Sequence, residues 1–271
     1  MKKTKMALIY DFDKTLSTRD MQEFHLLPRL GYENPQEFWS KCAELSHKKN
    51  IDSILSYMYM IIHEDKAMTQ SSLTEEGKYV EFFPGVETWF KRINEYGAAR
   101  GIEIEHYIIS SGLTDMVKGS SIAKEFKKIY ACSYFYDEDG HVLWPSRVIN
   151  YTTKTQYLFR INKGVFDETD DFNLNRSMPE EDKYIPLNRM IYLGDGLTDV
   201  PAMKVVNSYG GSTIVVYRDD CQAESLAKDL HENKRAAFMA DADYSEGGRI
   251  ESIVHGIIDA AVADLNLDDY R

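Results

Sequence analysis

The chain reads as an α/β protein: a mainly parallel sheet with helices on both faces, carrying a small inserted helical domain. Three observations predict this. Short apolar, β-prone runs recur at residues 6–10 ("MALIY"), 105–110 ("EHYIIS"), 189–193 ("RMIYL") and 212–217 ("STIVVY"), separated by helical patterns. The first three runs end in the polar clusters "DFDKT", "SSG" and "GDGLTD", and open α/β sheets bind ligands at the carboxyl ends of their strands. Between the first two runs lie roughly ninety residues, several times what one βα crossover needs.

That excess defines the insertion, expected at 19–82, with 1–18 and 83–271 forming the core. Four helical segments are read within it: "RDMQEFHLLPRL", "NPQEFWSKCAELSHK", "NIDSILSYMYMIIHEDK" and "SSLTEEGKYVEFF". The second opens with Asn34 as cap and Pro35 in the first turn. In the third, Ile51, Ile54, Leu55, Met58 and Ile62 follow the i, i+3, i+4 rule of an amphipathic helix. A core helix over 84–97 is expected to begin at Pro84 and Gly85 and to end at Gly97. Two β-prone runs then flank "DEDG", a hairpin signal with Asp139 and Gly140 at the turn. "TTKTQYLFRI" reads as a helix start, capped by Thr152 or Thr153, with Lys154 in the first turn. Residues 162–186 are long and polar, expected as a disordered surface loop or an insertion near the site. Within them "DETDDFN" lacks the central Gly and closing Glu of a calcium loop and reads as solvated.

The composition of the 271 residues is that of a folded globular chain, 43% hydrophobic and 28% charged. A formal net charge of -12 with no basic patch argues against nucleic acid. The basic prefix is followed by an apolar run too short for a signal peptide or membrane span, so no membrane partner and a cytoplasmic location are expected. Cys42, Cys132 and Cys221 have no metal-ligand spacing and read as buried free thiols. His25, His63 and His106 likewise lack ligand spacing and read as helix-surface or core-edge residues. The "NRS" sequon at 175–177 is read as chance without a secretion signal.

The polar strand ends carry the chemistry. Asp11 and Asp13, at i and i+2, project to one side of an extended strand, and Asp195 and Asp199 follow in "GDGLTD". Four carboxylates in one crevice repel, by roughly 4 kcal/mol per pair at about 4 Å and an effective dielectric of 20. A bound cation is the natural compensation, and oxygen ligands with room for water and phosphate suit Mg2+ better than zinc. Ser110, Ser111 and Lys154 at a helix start add a receptor for phosphate oxygens. With Asp11 as nucleophile and the second carboxylate as acid and base, the pattern reads as phosphoryl transfer through an aspartyl phosphate.

In their order, "DFDKT", the strand-ending "YIIS", "TTKTQ" and "GDGLTD" resemble the four motifs of the haloacid dehalogenase (HAD) superfamily of phosphatases. The resemblance implies a Rossmann-like α/β core, with Asp11 as nucleophile and Asp13 as general acid and base, its backbone carbonyl facing the metal. It further implies Thr15 positioning the loop, Ser110 and Lys154 holding the phosphoryl group, and Asp195 and Asp199 at the Mg2+ site. The insertion is similar to the helical C1 cap of phosphoserine phosphatases. Those enzymes commonly have Glu where this chain has Asp20, and Ser-Gly-Gly where it has Ser110, Ser111 and Gly112. Thr15, Asp20, Ser111 and Gly112 are therefore the expected substrate-binding residues, with Arg19 and Glu23 as further specificity candidates. The expected activity is Mg2+-dependent hydrolysis of a small phosphorylated metabolite. The alternatives are a phosphotransferase or mutase using the same intermediate, and a non-catalytic phospho-dependent binding module.

Overall fold

A computed structural model describes residues 4–268. Lys2 and Lys3 of the basic prefix lie outside the described residues. Seven strands form one sheet: β1 Thr4–Tyr10, β2 Ile102–Leu113, β3 Lys128–Tyr136, β4 Val142–Arg147, β5 Met190–Gly194, β6 Ser212–Tyr217 and β7 Phe238–Asp241. Their order is β4-β3-β2-β1-β5-β6-β7, parallel throughout except for the antiparallel β3–β4 hairpin. Met6 to Tyr10 and all of β5 are buried, because strands covered on both faces can be apolar at every position.

The helices are α1 Leu26–Arg29, α2 Pro35–Lys49, α3 Ser53–Glu64, α4 Gln70–Glu76, α5 Val86–Ala98, α6 Thr114–Gly119, α7 Lys154–Lys163, α8 Asp171–Asn175, α9 Val200–Ser208, α10 Cys221–Glu232 and α11 Arg249–Asp268. The chain leaves β1 toward β2 through α5 and leaves β5 toward β6 through α9, in opposite directions along the sheet. Right-handed crossovers then put the two helices on opposite faces. α11 packs against α5, and α7 against α9. β1, between β2 and β5, is where the direction of winding reverses, the position at which such sheets open a crevice.

Register sets the level of the site. Tyr10 lies opposite Ile108 on β2 and Leu193 on β5, so Asp11 follows that level by one residue, and Ser110 and Asp195 by two.

The insertion differs from expectation in its first helix. Residues 19–30 form only a 3-10 turn, Met21–Glu23, and the four-residue α1. Asn34 does cap α2, accepting from Gln36 N at 3.1 Å. Asp52 caps α3, accepting from Ile54 N and Leu55 N. On α3 the buried face is Tyr57, Met58 and Ile61, with Ile54, Leu55 and Ile62 flanking it.

Several other expectations are corrected. Gly97 lies inside α5 rather than ending it, because β2 passes too close for a side chain: a Cβ there would stand 2.6 Å from Ile104 Cγ1. The threonines before α7 do not cap it with their side chains; Asn150 Oδ1 instead accepts from Thr153 N at 3.1 Å and from the Thr152 hydroxyl at 3.0 Å. Residues 162–186 are ordered rather than a disordered loop, and their last part lies at the end of the strands opposite the aspartates. Tyr184 ties them to Glu105, and with Lys5 it lines a cavity at the opposite end of the strands. Cys42 and Cys132 are buried, but Cys221, the first residue of α10, is exposed. His106 is no edge residue. It is 2% exposed within β2 and held by Tyr10 and Asn94. The hairpin forms as read, with Gly140 at φ 83° in its turn. Among the described residues no helix is long and apolar enough to cross a membrane.

Candidate functional site

Asp11 leaves β1 with its backbone N–H still bonded to Leu193 O at 2.9 Å, so the sheet fixes its direction. Its Oδ1 accepts from Phe12 N at 2.7 Å and its Oδ2 from Lys154 Nζ at 2.7 Å. Lys154 reaches this point from the first residue of α7, is fully buried, and donates equally to Asp199 Oδ1 at 2.7 Å. Asp199 is fully buried too; its Oδ1 also accepts from the Tyr192 hydroxyl at 2.7 Å, and its Oδ2 from Gly196 N at 3.3 Å. Tyr192 reads in sequence as one more apolar strand residue, and nothing in the pattern marks its hydroxyl as a partner.

Burial pushes the Asp11 carboxyl up to about 6, against the pull of Lys154. For Lys154 burial disfavours the ammonium, yet Asp11 and Asp199 outweigh it and hold the group above the usual lysine range. Asp195 is held well above the usual carboxylate range by burial and by the charges of Asp199 and Asp11. No lysine, arginine or histidine among the described residues pairs with it.

One carboxylate oxygen from each of Asp11, Asp195 and Asp199 falls within 4.8 Å of the others. The donors are all hard oxygens, and Lys154 is in direct contact with two of the three acids, Asp11 and Asp199. Such a set fits Mg2+ in charge and in ligand type. The Asp13 carboxylate stands apart from this group: its Oδ1 accepts from Met21 N at 2.8 Å. Burial first, then Asp20 and Asp11, hold Asp13 well above the usual carboxylate range.

The loop between Asp11 and Ser17 is tightly wound. Leu16 N and Ser17 N both bond to Phe12 O, and Lys14 sits at φ 57° in the left-handed region, a conformation that costs a side chain about 1–2 kcal/mol. Lys14 Nζ pairs with Asp20 Oδ2 at 2.5 Å. Thr15 is fully buried; the Tyr244 hydroxyl donates to its carbonyl at 2.8 Å, and its own Oγ1 has no protein partner among the described residues.

On β2, Ser110 Oγ accepts from Gly112 N at 3.0 Å, while Ser111 Oγ is buried without a protein partner. Gly112 is needed for close approach: a Cβ there would stand 2.1 Å from Met21 Cε and 2.9 Å from Asp13 Oδ2. The strand end is also held from the insertion, where the Tyr57 hydroxyl donates to Ser111 O at 2.6 Å. The structure thus brings Asp11, Asp195, Asp199 and Lys154 into one contact group. It sets Asp13, Gly112 and the Met21 turn beside it, with Ser110 at the same level on β2 and Asp20 held through Lys14.

No family model matches the chain. An uncharacterised protein of Borreliella burgdorferi is 28% identical over 276 residues, covering 90% of this chain and 93% of that one. A HAD family hydrolase from Salmonella enterica serovar Typhi is similar in structure, with a TM-score of 0.55 and 16% identity. The match covers 78% of this chain, which spans 62% of that hydrolase. A phosphoserine phosphatase, solved as an analogue of its phospho-aspartyl intermediate, matches with a TM-score of 0.53 and 15% identity, over 93% of this chain and 98% of that one. The chain therefore has the Rossmann-like fold of the HAD hydrolases.

Proposed function

We propose that the protein is a Mg2+-dependent phosphomonoester hydrolase that acts on a small phosphorylated metabolite through an aspartyl phosphate. The observation that carries this reading is Lys154 Nζ at 2.7 Å from both Asp11 and Asp199, with Asp195 completing a triad of oxygen donors at the strand ends. The fold shared with a phosphoserine phosphatase supports it.

In this reading Asp11 attacks phosphorus, its carboxylate oriented by Phe12 N–H and Lys154. Lys154 and Ser110 bind the phosphoryl oxygens, and the unpartnered hydroxyl of Ser111 is available to the same group. Asp13 protonates the departing alcohol oxygen. Its Oδ1 already accepts a backbone N–H, which leaves Oδ2 to carry the proton, and burial together with the charges of Asp20 and Asp11 favours the protonated form. Asp13 then takes a proton from the water that cleaves the aspartyl phosphate. Asp11, Asp195 and Asp199 would hold Mg2+, with the Asp13 carbonyl as a further donor; when bound, the ion neutralises charge on the phosphoryl oxygens. Segment 19–82 acts as a lid, with Asp20 and Gly112 bordering the substrate and Thr15 fixing the loop.

The test is phosphate release from a panel of phosphomonoesters, with and without Mg2+, for the wild type and Asp11→Asn. Metal-dependent release that is lost in the variant supports the reading. Full activity in Asp11→Asn overturns it.

A further inference from the structure

We propose that Glu23, Trp39 and Tyr57 form a receptor for a cationic, alkyl-substituted nitrogen in the alcohol part of the substrate, which would make the substrate an amino-alcohol phosphate. The proposal rests on the hydrolase reading and adds to it the chemical class of the leaving group.

The Met21–Glu23 turn lies directly over the catalytic loop. Its first N–H bonds to Asp13 Oδ1 at 2.8 Å, and Leu113 N–H on β2 points to Met21 Sδ at 3.2 Å. Glu23, at the end of this turn, accepts from the Trp39 indole N–H at 2.7 Å. The Trp39 ring meets Tyr57 edge-on, with centroids 6.0 Å apart and planes at 73°. Tyr57 in turn bonds to Ser111 O at 2.6 Å. A continuous wall of one acid and two aromatic rings therefore runs from the turn over Asp13 to the strand end that carries Ser110.

The charges on this wall are unbalanced. Asp11 and Asp199 share Lys154, and Asp20 has Lys14. Half-buried Glu23 has only a neutral indole donor, and among the described residues no cation pairs with it. Gln22 on the same turn is 2% exposed, and its Oε1 has no partner among the described residues. A carboxylate beside two aromatic rings attracts a cation by charge and by ring quadrupole, and alkyl groups on the nitrogen gain contact with the rings. Asp20 and Glu23 are two acids against the single Lys14, and burial with the charge of Asp20 raises the Glu23 pKa, so a cation is favoured here and an alcohol that bears its own carboxylate is disfavoured.

The experiment compares kcat/KM for phosphocholine, phosphoethanolamine and phosphoserine with that for 3,3-dimethylbutyl phosphate, the uncharged isostere of phosphocholine. The expected result is a preference for phosphocholine over the isostere of roughly 10–100-fold, with phosphoethanolamine between them and phosphoserine below. Glu23→Gln keeps an acceptor for Trp39 and should reduce the preference to within about threefold; Trp39→Leu should reduce it as well. Equal rates on the charged and uncharged esters, or an undiminished preference in Glu23→Gln, overturn the proposal. If no ester releases phosphate, the hydrolase reading fails. Calorimetry with phosphocholine and its isostere then decides the receptor separately: tighter binding of the cation, lost in Glu23→Gln, supports it, and equal binding overturns it.

Discussion

Lys154 Nζ reaches Asp11 Oδ2 at 2.7 Å across 143 positions of sequence, and both groups are almost wholly removed from solvent. The same ammonium holds Asp199. Removing it leaves two buried carboxylates without a counterion, the situation in which breaking a buried ion pair is most costly. Lys154→Met should lower the unfolding free energy by about 3 kcal/mol without added metal. Phosphate release should fall at least ~100-fold, since the variant also loses a donor to the phosphoryl oxygens. Urea unfolding and single-ester kinetics read the two effects separately.

Asp195 calls for the opposite sign. Burial and the charges of Asp199 and Asp11 raise its pKa against the weaker pull of Lys14 and Lys154, and no lysine, arginine or histidine among the described residues pairs with it, so its carboxylate is a strained element of the metal-free protein. Asp195→Asn should raise metal-free stability by about 1 kcal/mol, as relief of a functional strain does. Millimolar Mg2+ should raise the melting temperature of the wild type by ligand linkage and leave that of the variant nearly unchanged. An equal Mg2+-induced rise in both proteins would remove Asp195 from the metal site.

The parts of this arrangement that were legible in sequence are those governed by strand ends. An apolar run must stop where its carbonyl edge meets solvent or ligand, so "DFDKT", "SSG" and "GDGLTD" marked their levels before any register was known. The partners supplied from elsewhere were not legible. Tyr192 reads as a core residue because its ring is one, and only tertiary packing turns its hydroxyl toward Asp199. β7 is four residues with one fully buried side chain, too short and too mixed for the alternation rule. Cys221 is exposed because it opens a helix capped by Asp220 on the outer surface, while composition alone speaks only of the average thiol. The polar run 162–186 is ordered through Tyr184, Lys163 and Arg160, whose long side chains bridge to distant carbonyls and acids. Polarity records solvation but says nothing of such anchoring.

The contact of α4 and the Gly77 turn with α6 depends on two glycines. A Cβ on Gly119 at the end of α6 would stand 1.8 Å from Thr74 O, and one on Gly77 would stand 2.0 Å from Met116 O. Both obstacles are backbone, which cannot turn aside as a side chain can. Gly119→Ala should therefore destabilise by roughly 1–3 kcal/mol through overpacking, a fall of several degrees in melting temperature. Gly140→Ala, at a turn with open space around it, should cost only its backbone strain of about 1–2 kcal/mol. Thermal unfolding of the two variants tests the ranking. A larger loss at Gly140 than at Gly119 would contradict close packing between α4 and α6.

His106 gives a prediction whose sign can be worked out. Trp89 N–H donates to the Tyr10 hydroxyl at 2.8 Å, and Tyr10 O–H lies 3.0 Å from His106 Nδ1, an arrangement that makes Nδ1 the acceptor. Nε2 is then the protonated nitrogen and donates to Asn94 Oδ1 at 3.1 Å. The ring is neutral, and burial lowers its pKa from 6.5 to about 3. Between these values the unfolded chain binds a proton that the folded chain refuses, so this contribution to stability is full above pH 6.5 and shrinks as pH falls toward 3. The buried carboxylates act the other way. Asp13 and Asp195 keep their protons better in the folded state, so the wild-type profile alone mixes the two effects. Comparison with His106→Gln at each pH isolates the histidine. Above pH 7 the stability difference between wild type and variant should be constant. Below pH 6.5 it should move against the wild type by up to ~1.4 kcal/mol per pH unit. Urea unfolding at pH 7.5, 6.0 and 5.0 measures it, and a difference that stays flat over that range would mean His106 takes up its proton inside the fold.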